Sequence, residues 1–413
     1  MNNILSGLRV IEISAFVAAP SAGMTLAQMG AEVIRVDMIG GGPDIRRWPV
    51  AKGSGQSLYW AGLNKAKKSV CLNLRSSEGR EILNKLIAAP GANGGIFISN
   101  LPLKNTLDLT ALRARRPDVI GVLITGSRSG RTAVDYTVNA FAGFPTATGS
   151  PEQATPINNP LPAWDLLTGQ SAVIALLVAE RHRNATGKGQ LVTLALEDIA
   201  LANTAHLGMI GEVQINGTSR LRLGNHLYGS FGHDFVTQDG IRLMIVAVST
   251  KQWRAIVTAT SLQDRFAVLA KEFGLDFDKE EDRFEARDAI VDLLNDWTFA
   301  RPFHQVAEQL TAHRACWAPY RTFAEVGSSD LGSNPLFAKI EQPGIGSYPM
   351  PGSCFDFEAS PRRHTLPAPV LGCDTRLVLA NVLGMSADEL DALQARGILP
   401  AAPVRARELE SAR

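Results

Sequence analysis

The fold is decided by residues 8–37, which begin Leu8-Arg9-Val10-Ile11-Glu12-Ile13 and end Glu32-Val33-Ile34-Arg35-Val36-Asp37. Both ends are short apolar runs rich in Val and Ile, a composition that predicts two buried strands. Between them, Pro20 suits the first position of a helix and Gly30 suits the position just after its end. A strand, a helix and a second strand in this order predict a βαβ unit with parallel strands.

The alternation of strands and helices continues along the first third of the chain. Further strands are predicted at 69–74, 95–99 and 119–124, with a helix at 78–88 opened by Ser76-Ser77. A parallel sheet is therefore expected, and it places the chain in the α/β class. After a segment rich in Gly and Pro, two long helices are predicted at roughly 165–183 and 191–214.

The pattern changes after residue 200, so we predict four regions. A large domain with the parallel sheet spans 1–200, and a helix and linker with a Gly-rich loop span 201–233. A smaller α+β domain spans 234–325, with a strand pair (235–236 and 241–248) and helices near 251–262, 284–298 and 302–313. Residues 326–413 form an extended crossing segment, one more helix, and a tail from Arg405 that we expect to fray.

Composition limits the partners of this 413-residue chain. Its 45% hydrophobic and 20% charged residues are those of a globular protein, and its formal net charge of +1 favours neither nucleic acid nor membrane as a partner. The four cysteines form no CxxC pair, and the histidines show no metal-ligand spacing, so we expect neither disulfides nor a metal site. No signal peptide or membrane span is recognisable, so we expect a cytoplasmic protein.

The common nucleotide motifs are absent from the sequence. The first strand–helix turn, Ser14 to Pro20, lacks the glycines that bring a backbone against a pyrophosphate, and no GxxxxGK[ST] loop exists. Basic residues nevertheless cluster near the predicted strand ends, at positions Arg46, Arg47, Lys65, Lys67, Lys68, Arg75 and Arg128. They indicate either a site for a phosphorylated ligand or a solvated face, and charge alone does not distinguish the two.

Asp165 lies at the mouth of the apolar run 172–179 and has two interpretations. It is either the N-cap of the helix, a position that Asp favours, or a nucleophile at the floor of a pocket. Residues 224–232, which are rich in Gly and aromatics, are likewise either a mobile lid or backbone-donor loop, or an ordinary interdomain turn.

Through an ordered set of motifs, the chain resembles the class III CoA-transferases nearly end to end. The motifs are Gly7-Leu8-Arg9-Val10-Ile11-Glu12, Gly30 to Asp37, Ser57-Leu58-Tyr59-Trp60, Gly187-Lys188-Gly189-Gln190 and Ala368-Pro369-Val370-Leu371-Gly372. The resemblance implies a Rossmann-like large domain that binds CoA and a C-terminal helix that returns to it. It further implies that the chain closes into a ring and that two rings interlock into a homodimer. It also implies no cofactor beyond CoA, which enters as part of the substrate.

The resemblance assigns roles to residues of this sequence. It makes Asp165 the catalytic nucleophile and puts the CoA contacts near Val17, Ala18, Leu72, Asn73, Arg75, Asn100 and Leu101. Two elements depart from the family pattern. The family's glycine-rich loop is here Gly224-Asn225-His226-Leu227-Tyr228-Gly229, and its Leu-Gly-Glu-His-Thr element is Leu371-Gly372-Cys373-Asp374-Thr375. A less flexible loop with polar side chains suits a diacid that must stay bound.

Stretches such as Arg47-Trp48-Pro49-Val50 and Leu161-Pro162-Ala163-Trp164-Asp165 resemble the members that move CoA between the two carboxyls of one C5 diacid, mesaconate. The expected substrate is therefore the acyl-CoA thioester of a small dicarboxylic acid. The Asp165 carboxylate, ionised at pH 7 with a pKa near ~4, is expected to carry CoA, with oxyanion donors from the 224–232 loop.

Arg47, Arg222 and His226 are all candidates to pair with the idle carboxylate of the diacid. The alternative reactions are an intermolecular CoA transfer and an α-methylacyl-CoA racemase. Racemases of the family have a His before the Asp, whereas the stretch Ala133-Val134-Asp135-Tyr136-Thr137 has none. A CoA-binding protein without catalysis is the alternative from another class.

Overall fold

The computed structural model describes residues 3–103, 106–362 and 364–401, so the predicted fraying of the tail from Arg405 lies outside the described residues. The chain forms two compact units. The first comprises Met1–Ala142, Asn159–Ile210 and Asp330–Arg413, and the second comprises Gly143–Asn158 and Gly211–Ser329. Each unit therefore gathers segments that are distant in sequence.

The first unit is built on a six-stranded parallel sheet. Its strands are β1 (Arg9–Ile13), β2 (Glu32–Met38), β3 (Lys68–Leu72), β4 (Ile96–Ser99), β5 (Ile120–Thr125) and β6 (Leu191–Ala195). They lie in the order β3-β2-β1-β4-β5-β6, with Val10 opposite Val33 and Ile11 opposite Phe97. This is the order of a doubly wound Rossmann sheet, in which the winding reverses between β1 and β4. The predicted α/β class is confirmed.

The helices up to residue 216 are α1 (Ala18–Gln28), α2 (Leu58–Leu63), α3 (Ser77–Ala88), α4 (Leu109–Arg115), α5 (Asp135–Phe141), α6 (Phe144–Ala147), α7 (Ala163–Thr186), α8 (Leu196–His206) and α9 (Met209–Asn216). Helix α3 begins as predicted, since the Ser76 side chain accepts the N–H of Gly79. Gly30 follows α1 with a φ of 101°, as predicted, but Pro20 is the third helical residue rather than the first. Proline is tolerated there because first-turn N–H groups have no intrahelical partner.

The prediction of one helix over 191–214 is wrong, because residues Leu191–Ala195 form β6 and pair in parallel with β5. A short apolar run of this kind suits a buried helix and a buried strand equally well. The turn before it carries the missing information. A Cβ on Gly189 would lie 2.2 Å from the carbonyl carbon of Asp118, so only glycine lets the chain enter the sheet here.

The second unit has its own antiparallel sheet, in the order β7-β8-β9, formed by β7 (Phe231–Val236), β8 (Arg242–Ala247) and β9 (Cys316–Pro319). Its later helices are α10 (Thr250–Thr260), α11 (Gln263–Phe273), α12 (Glu280–Glu285), α13 (Arg287–Phe299), α14 (Phe303–Ala312) and α15 (Phe323–Ser328). Trp253, Phe266 and Trp297 pack in its core. The predicted strand pair and the helices near 251–262, 284–298 and 302–313 are confirmed in type.

The C-terminal segment adds a 3₁₀ turn (Leu331–Ser333), a hairpin of β10 (Phe337–Gln342) and β11 (Gly346–Pro351), and the helices α16 (Thr375–Leu383) and α17 (Ala387–Ala395). Helix α16 packs against α3 and the edge strand β3. The Asp374 carboxylate accepts the N–H of Ser69 at 2.8 Å, and the Thr375 hydroxyl accepts the N–H of Cys71 at 3.0 Å. Residues 371–375, which differ from the family pattern, thus accept hydrogen bonds from backbone N–H groups of the edge strand β3 that would otherwise have no partner in the sheet.

Helix α7 is the long core helix of the first unit and packs against α1 and β5. A Cβ on Gly169 would lie 2.1 Å from the Ser21 hydroxyl, so glycine permits the close crossing with α1. At its far end, Arg183 donates to the carbonyls of Gly94 at 2.8 Å and Ala92 at 3.2 Å. By length and composition alone α7 is apolar enough to cross a membrane, but these contacts are those of a core helix.

Candidate active site

Asp165 is the third residue of α7, which begins at Ala163 after Pro162. The interpretation of Asp165 as the N-cap is therefore wrong, because Pro162 occupies that position. The Asp165 side chain is half-buried, and within the described residues its carboxylate accepts no hydrogen bond. A carboxylate in the first turn, near the positive end of the helix and free of partners, is available for chemistry.

Asp135 supplies the cap that Asp165 does not. It is the first residue of α5 and only 3% exposed. Its Oδ2 accepts the backbone N–H of Asp165 at 2.9 Å, and it also accepts the backbone N–H of Trp164. The start of α7 is thus fixed by a side chain from another helix, and two carboxylates lie beside each other.

This arrangement raises the pKa of Asp165 to about 7, mainly because burial disfavours the charged form and secondly because Asp135 carries a like charge. Arg47 acts in the opposite direction. Burial also raises the pKa of Asp135, although the two backbone hydrogen bonds oppose the shift. The expectation that Asp165 has an ordinary pKa near ~4 is therefore wrong, because the sequence did not reveal its burial or the second carboxylate.

Arg47 is the cation beside this carboxylate. Its Cζ lies 5.3 Å from the ring centroid of Phe16 and 5.2 Å from that of Tyr59. Burial raises the pKa of Tyr59, while hydrogen bonding to Arg47 opposes that shift and the charge of Asp165 adds to it. Arg47, Tyr59 and Asp165 therefore share one electrostatic neighbourhood.

The loops after β1 and β4 meet at the point where the winding of the sheet reverses, which is where open α/β sheets bind ligands. The Asn100 side chain donates to the Ala15 carbonyl at 2.7 Å and accepts the Ala15 N–H at 2.9 Å. Val17 and Ala18 are buried at the start of α1, and Leu101 is 36% exposed. Four of the predicted CoA contacts thus lie at this one crevice, although the amide of Asn100 already has a protein partner.

The other three predicted CoA contacts lie at the end of β3. The Leu72 side chain is fully buried, so only its backbone is available to a ligand. Asn73 accepts the N–H of Arg75 at 3.3 Å and donates to the carbonyl of Gly397 at 3.2 Å. Arg75 is exposed, and within the described residues its guanidinium forms no ion pair. It is the member of this group with a free cation for a phosphate.

Lys67 fits neither interpretation of the basic cluster. It is fully buried and its Nζ lies 2.8 Å from the Glu12 carboxylate, with a further bond to Asn64 at 2.8 Å. Arg35 extends this network by pairing with Asp37 at 2.9 Å and with Asp44 at 3.1 Å. Other basic residues also have partners, since Lys68 pairs with Glu32 and Arg128 with Asp198. Three of the seven basic residues are therefore in ion pairs, and the other four, Arg46, Arg47, Lys65 and Arg75, have none within the described residues.

The predicted substrate loop, Gly224, Asn225, His226, Tyr228 and Gly229, belongs to the second unit. Asn225 donates to Asp234 at 2.8 Å, and the Tyr228 hydroxyl donates to Glu212 at 2.5 Å. The ring of His226 stacks on His233 with centroids 4.2 Å apart. These side-chain contacts anchor the loop within its own unit, as a polar replacement of glycines favours.

Sequence reasoning missed Asp135, Phe16 and Tyr59 as members of the site. Asp135 stands in the stretch where the racemases have a His, and that was a usable signal. The role of Phe16 depends on a backbone φ of 63°, which no sequence pattern indicates. Within the described residues, no group of three His, Cys, Asp or Glu side chains forms a candidate metal site.

The fold and the site define a class of protein. The chain matches the profile of CoA-transferase family III over residues 5–375 and belongs to that enzyme family, which confirms the resemblance inferred from its motifs. More particularly, it is 51% identical over 409 residues to the 2-methylfumaryl-CoA isomerase of Chloroflexus aurantiacus, covering 98% of this chain and 100% of the relative.

More distant relatives match most of the length of this chain. The succinyl-CoA–L-malate CoA-transferase alpha subunit of Chloroflexus aurantiacus is 27% identical over 414 residues, which cover 96% of this chain and 92% of the relative. The crystal structure of a CAIB/BAIF family protein from Brucella suis superposes with a TM-score of 0.73 at 26% identity, over 92% of this chain and 100% of that one.

Proposed function

We propose that this enzyme moves CoA between the C1 and C4 carboxyls of mesaconate (2-methylfumarate), with Asp165 as the covalent carrier. The observation that carries the proposal is a half-buried Asp165 carboxylate without a hydrogen-bond partner among the described residues, in a chain that is 51% identical to a 2-methylfumaryl-CoA isomerase. CoA enters as part of the substrate, and the reaction as proposed uses no other cofactor.

The first half-reaction loads CoA onto the protein. An oxygen of Asp165 attacks the C1 thioester carbonyl, the C–S bond breaks, and CoA leaves as a thiolate while a mixed anhydride forms. The thiolate then attacks the Asp165 carbonyl carbon. Its C–O bond to the diacid breaks, which leaves an aspartyl-CoA thioester and a free diacid.

The second half-reaction reverses these steps at the other carboxyl. The C4 carboxylate attacks the aspartyl thioester and CoA thiolate leaves again. The thiolate attacks the C4 carbonyl of the new anhydride, which frees the Asp165 carboxylate. No net proton transfer is required, and each C–S bond broken is matched by one formed.

The raised pKa of Asp165 suits this role. A carboxylate with a pKa of about 7 is more basic than an ordinary aspartate and still substantially ionised at neutral pH. A desolvated, more basic oxygen is the better nucleophile toward a thioester. The charge of Asp135 contributes to that basicity, and its hydrogen bond fixes the backbone from which the nucleophile projects.

CoA binding is proposed at the residues that the family resemblance suggests. Val17, Ala18, Asn100 and Leu101 belong to the crevice where the sheet reverses its winding, and such crevices bind ligands in open α/β sheets. Leu72, Asn73 and Arg75 supply further contacts, with the exposed Arg75 available for a phosphate. In the Gly224–Gly229 loop, the N–H groups of Gly224, His226 and Leu227 already donate to carbonyls. The other three N–H groups of the loop are proposed as oxyanion donors.

We also propose a ring-shaped chain that interlocks with a second copy, in the cytoplasm. Support comes from apolar side chains exposed on α5, α7 and α8, three helices that pack on one another. They include Phe141 at 56%, Ile174 at 63%, Val178 at 59% and Leu201 at 37% exposure. Such exposure on core helices is typical of surfaces that a partner covers.

An isotope experiment tests the proposed reaction. The protein is incubated with mesaconyl-C1-CoA and isotopically labelled free mesaconate. The C1 and C4 thioesters are then separated, and their label content is measured by mass spectrometry. Formation of the C4 thioester without label is the expected result. Free entry of label instead supports an intermolecular transferase, the reaction named for relatives such as the succinyl-CoA–L-malate CoA-transferase. A separate incubation with a saturated 2-methylacyl-CoA in deuterated water tests the racemase alternative, since only a racemase places solvent deuterium at its α-carbon.

A further inference from the structure

A dicarboxylic thioester brings a second, unreacted carboxylate into the site, and an apolar analogue does not. The protein must neutralise that charge to tell the two apart. Three cations were candidates from the sequence, namely Arg47, Arg222 and His226. Their contacts within their own units now separate them.

Arg222 and His226 are committed to other partners. The Arg222 guanidinium donates to the carbonyl of Thr146 at 3.0 Å and also to the carbonyl of Gln153. Burial and the neighbouring His233 lower the pKa of His226, and its Nε2 lies 3.4 Å from Asp288. The Nε and Nη1 donors of Arg222 are therefore already bound to carbonyl oxygens, and the lowered pKa of His226 leaves its imidazole mainly neutral at pH 7.

Arg47 is different. Among residues 3–103, 106–362 and 364–401, its guanidinium donates to no backbone carbonyl, and no carboxylate lies within ion-pair distance of it. Phe16 and Tyr59 lie against it with centroids 5.3 and 5.2 Å away, and stacking of this kind occupies faces rather than N–H edges. The Tyr59 side chain also forms a hydrogen bond with the guanidinium. The remaining N–H donors are left for a planar anion such as a carboxylate, which a guanidinium binds through two parallel hydrogen bonds.

The backbone around Arg47 is held in place as a binding residue requires. Its N–H donates to the Asp44 carbonyl at 3.0 Å, and its own carbonyl accepts the Ser57 hydroxyl. The Asp44 carboxylate accepts the N–H of Phe16 at 3.0 Å and pairs with the buried Arg35. The buried ion-pair network thus positions both Arg47 and one of the rings beside it.

We propose that Arg47 is the specificity-determining residue that binds the free carboxylate of the substrate while Asp165 reacts with the thioester. This inference rests on the proposed function and names the feature that its substrate must carry. An open cavity of about 440 Å³ lined by Pro43, Arg46, Arg47 and Trp48 leaves room beside the guanidinium. After CoA has moved to Asp165, the same cation holds whichever carboxylate of the diacid is idle.

The test uses the acylation step alone. Succinyl-CoA and butyryl-CoA have the same chain length, but only the first ends in a carboxylate. Exchange of isotopically labelled free CoA into each thioester requires that Asp165 displaces the bound CoA and that labelled CoA then attacks the same acyl carbonyl. It does not require the diacid to rotate in the site. We expect the wild-type enzyme to exchange succinyl-CoA at least ~100-fold faster, since a charged partner is satisfied only there.

Arg47→Gln is expected to remove that preference by slowing succinyl-CoA about 100-fold and changing butyryl-CoA less than about threefold. Arg46→Gln, one residue away and also lining the cavity, is the matched control and keeps the preference. Arg47→Lys keeps the charge without the fork and falls between the two. If Arg47→Gln does not fold, the Lys variant decides the question through its own loss of preference.

Two results overturn the assignment of Arg47. One is an Arg47→Gln enzyme that keeps the wild-type preference, and the other is an equal loss with both thioesters. Either leaves the proposed isomerase untouched if mesaconyl-C1-CoA still isomerises without label. If Arg47→Gln loses the preference as expected but the wild-type enzyme does not isomerise mesaconyl-C1-CoA, the proposed function alone is refuted. A wild-type enzyme that exchanges neither thioester refutes both.

Discussion

The carboxylate of Asp135 accepts the backbone N–H of Asp165 at 2.9 Å, so one aspartate caps the helix on which the other is carried. An aspartate that caps its own helix has its oxygens engaged with backbone donors. Here the capping bond comes from a neighbouring helix, so the carboxylate of Asp165 does not bind backbone N–H groups of its own helix. The same contact brings a second negative charge to the site, which joins burial in raising the pKa of Asp165.

Asp135→Asn is expected to move the pH dependence of kcat/KM to lower pH. Ionised Asp165 is the reactive form, so the wild-type rate rises as pH increases through about 7, the pKa of that carboxyl. The amide oxygen of Asn keeps the hydrogen bond to the Asp165 N–H but removes the charge, so the pKa of Asp165 falls. Initial rates between pH 5 and 9 give the measurement; an unmoved acid limb contradicts the role of Asp135.

Asp135→Ala provides the matched comparison, because it removes both the charge and the cap. Loss of an N-cap costs about 1 kcal/mol, so this variant unfolds at lower urea concentration than Asp135→Asn. Equal urea midpoints for the two variants argue against Asp135 as the cap of α7.

Asp165→Asn is expected to abolish CoA transfer and to make the protein more stable at pH 8. The pKa of Asp165 in the folded protein, about 7, exceeds its unfolded value of ~3.9, so ionisation opposes folding. The cost is absent below pH ~4, grows toward pH 7 and is complete above it. By linkage it is at most about 4 kcal/mol, and less because the carboxylate is partly hydrated.

Urea unfolding of both proteins at pH 5 and pH 8 measures this difference. The gap in the free energy of unfolding between Asp165→Asn and the wild type should widen from pH 5 to pH 8. A gap that does not change, or one that favours the wild type at pH 8, refutes the raised pKa. Mass spectrometry of trapped enzyme checks the covalent role separately, since an adduct on a peptide without Asp165 excludes it as the carrier.

Lys67→Met should destabilise the fold by about 3 kcal/mol. It removes the nearest cation from the buried Glu12 carboxylate, which keeps only Arg35 at 3.9 Å and the Ser14 hydroxyl. Lys68→Met, one residue along, removes a half-exposed pair with Glu32 and should cost under about 1 kcal/mol. Urea midpoints at pH 7 compare the two. Similar small losses in both variants mean that the Glu12–Lys67 pair is not the stabilising contact described.

Asn225→Asp should loosen the substrate loop. It replaces a hydrogen bond to Asp234 with two facing carboxylates, which repel one another. On the proposed function, a looser loop lets free diacid escape, so label from free mesaconate should enter the product several-fold more. Asn216→Asp at the exposed end of α9 adds the same charge without that contact and serves as the control. Unchanged label entry in Asn225→Asp refutes a retaining role for the loop.

Much of the parallel sheet is predictable from sequence, because runs of Val and Ile such as those around Val10 and Val33 predict buried strands. The strand at Leu191–Ala195 escaped because its position depends on the approach of Gly189 to Asp118, a tertiary contact with no local pattern. Asp165 was found through an ordered set of motifs. Its protonation was mispredicted, because burial and the neighbour at Asp135 exist only in the folded chain. Arg47 was one of three equivalent cations until the partners of the other two were known.

Helix α7 is fastened at both ends, by Asp135 at its first turn and by Arg183 at its last. Its 24 residues span about 36 Å. A rod clamped in this way leaves the nucleophile little freedom to travel, so on the proposed reaction the small molecule has to move instead. Because the two carboxyls of a fumarate point in opposite directions, the free diacid must rotate end over end in the site between the two half-reactions. On the proposed reaction, that rotation is a step of every turnover.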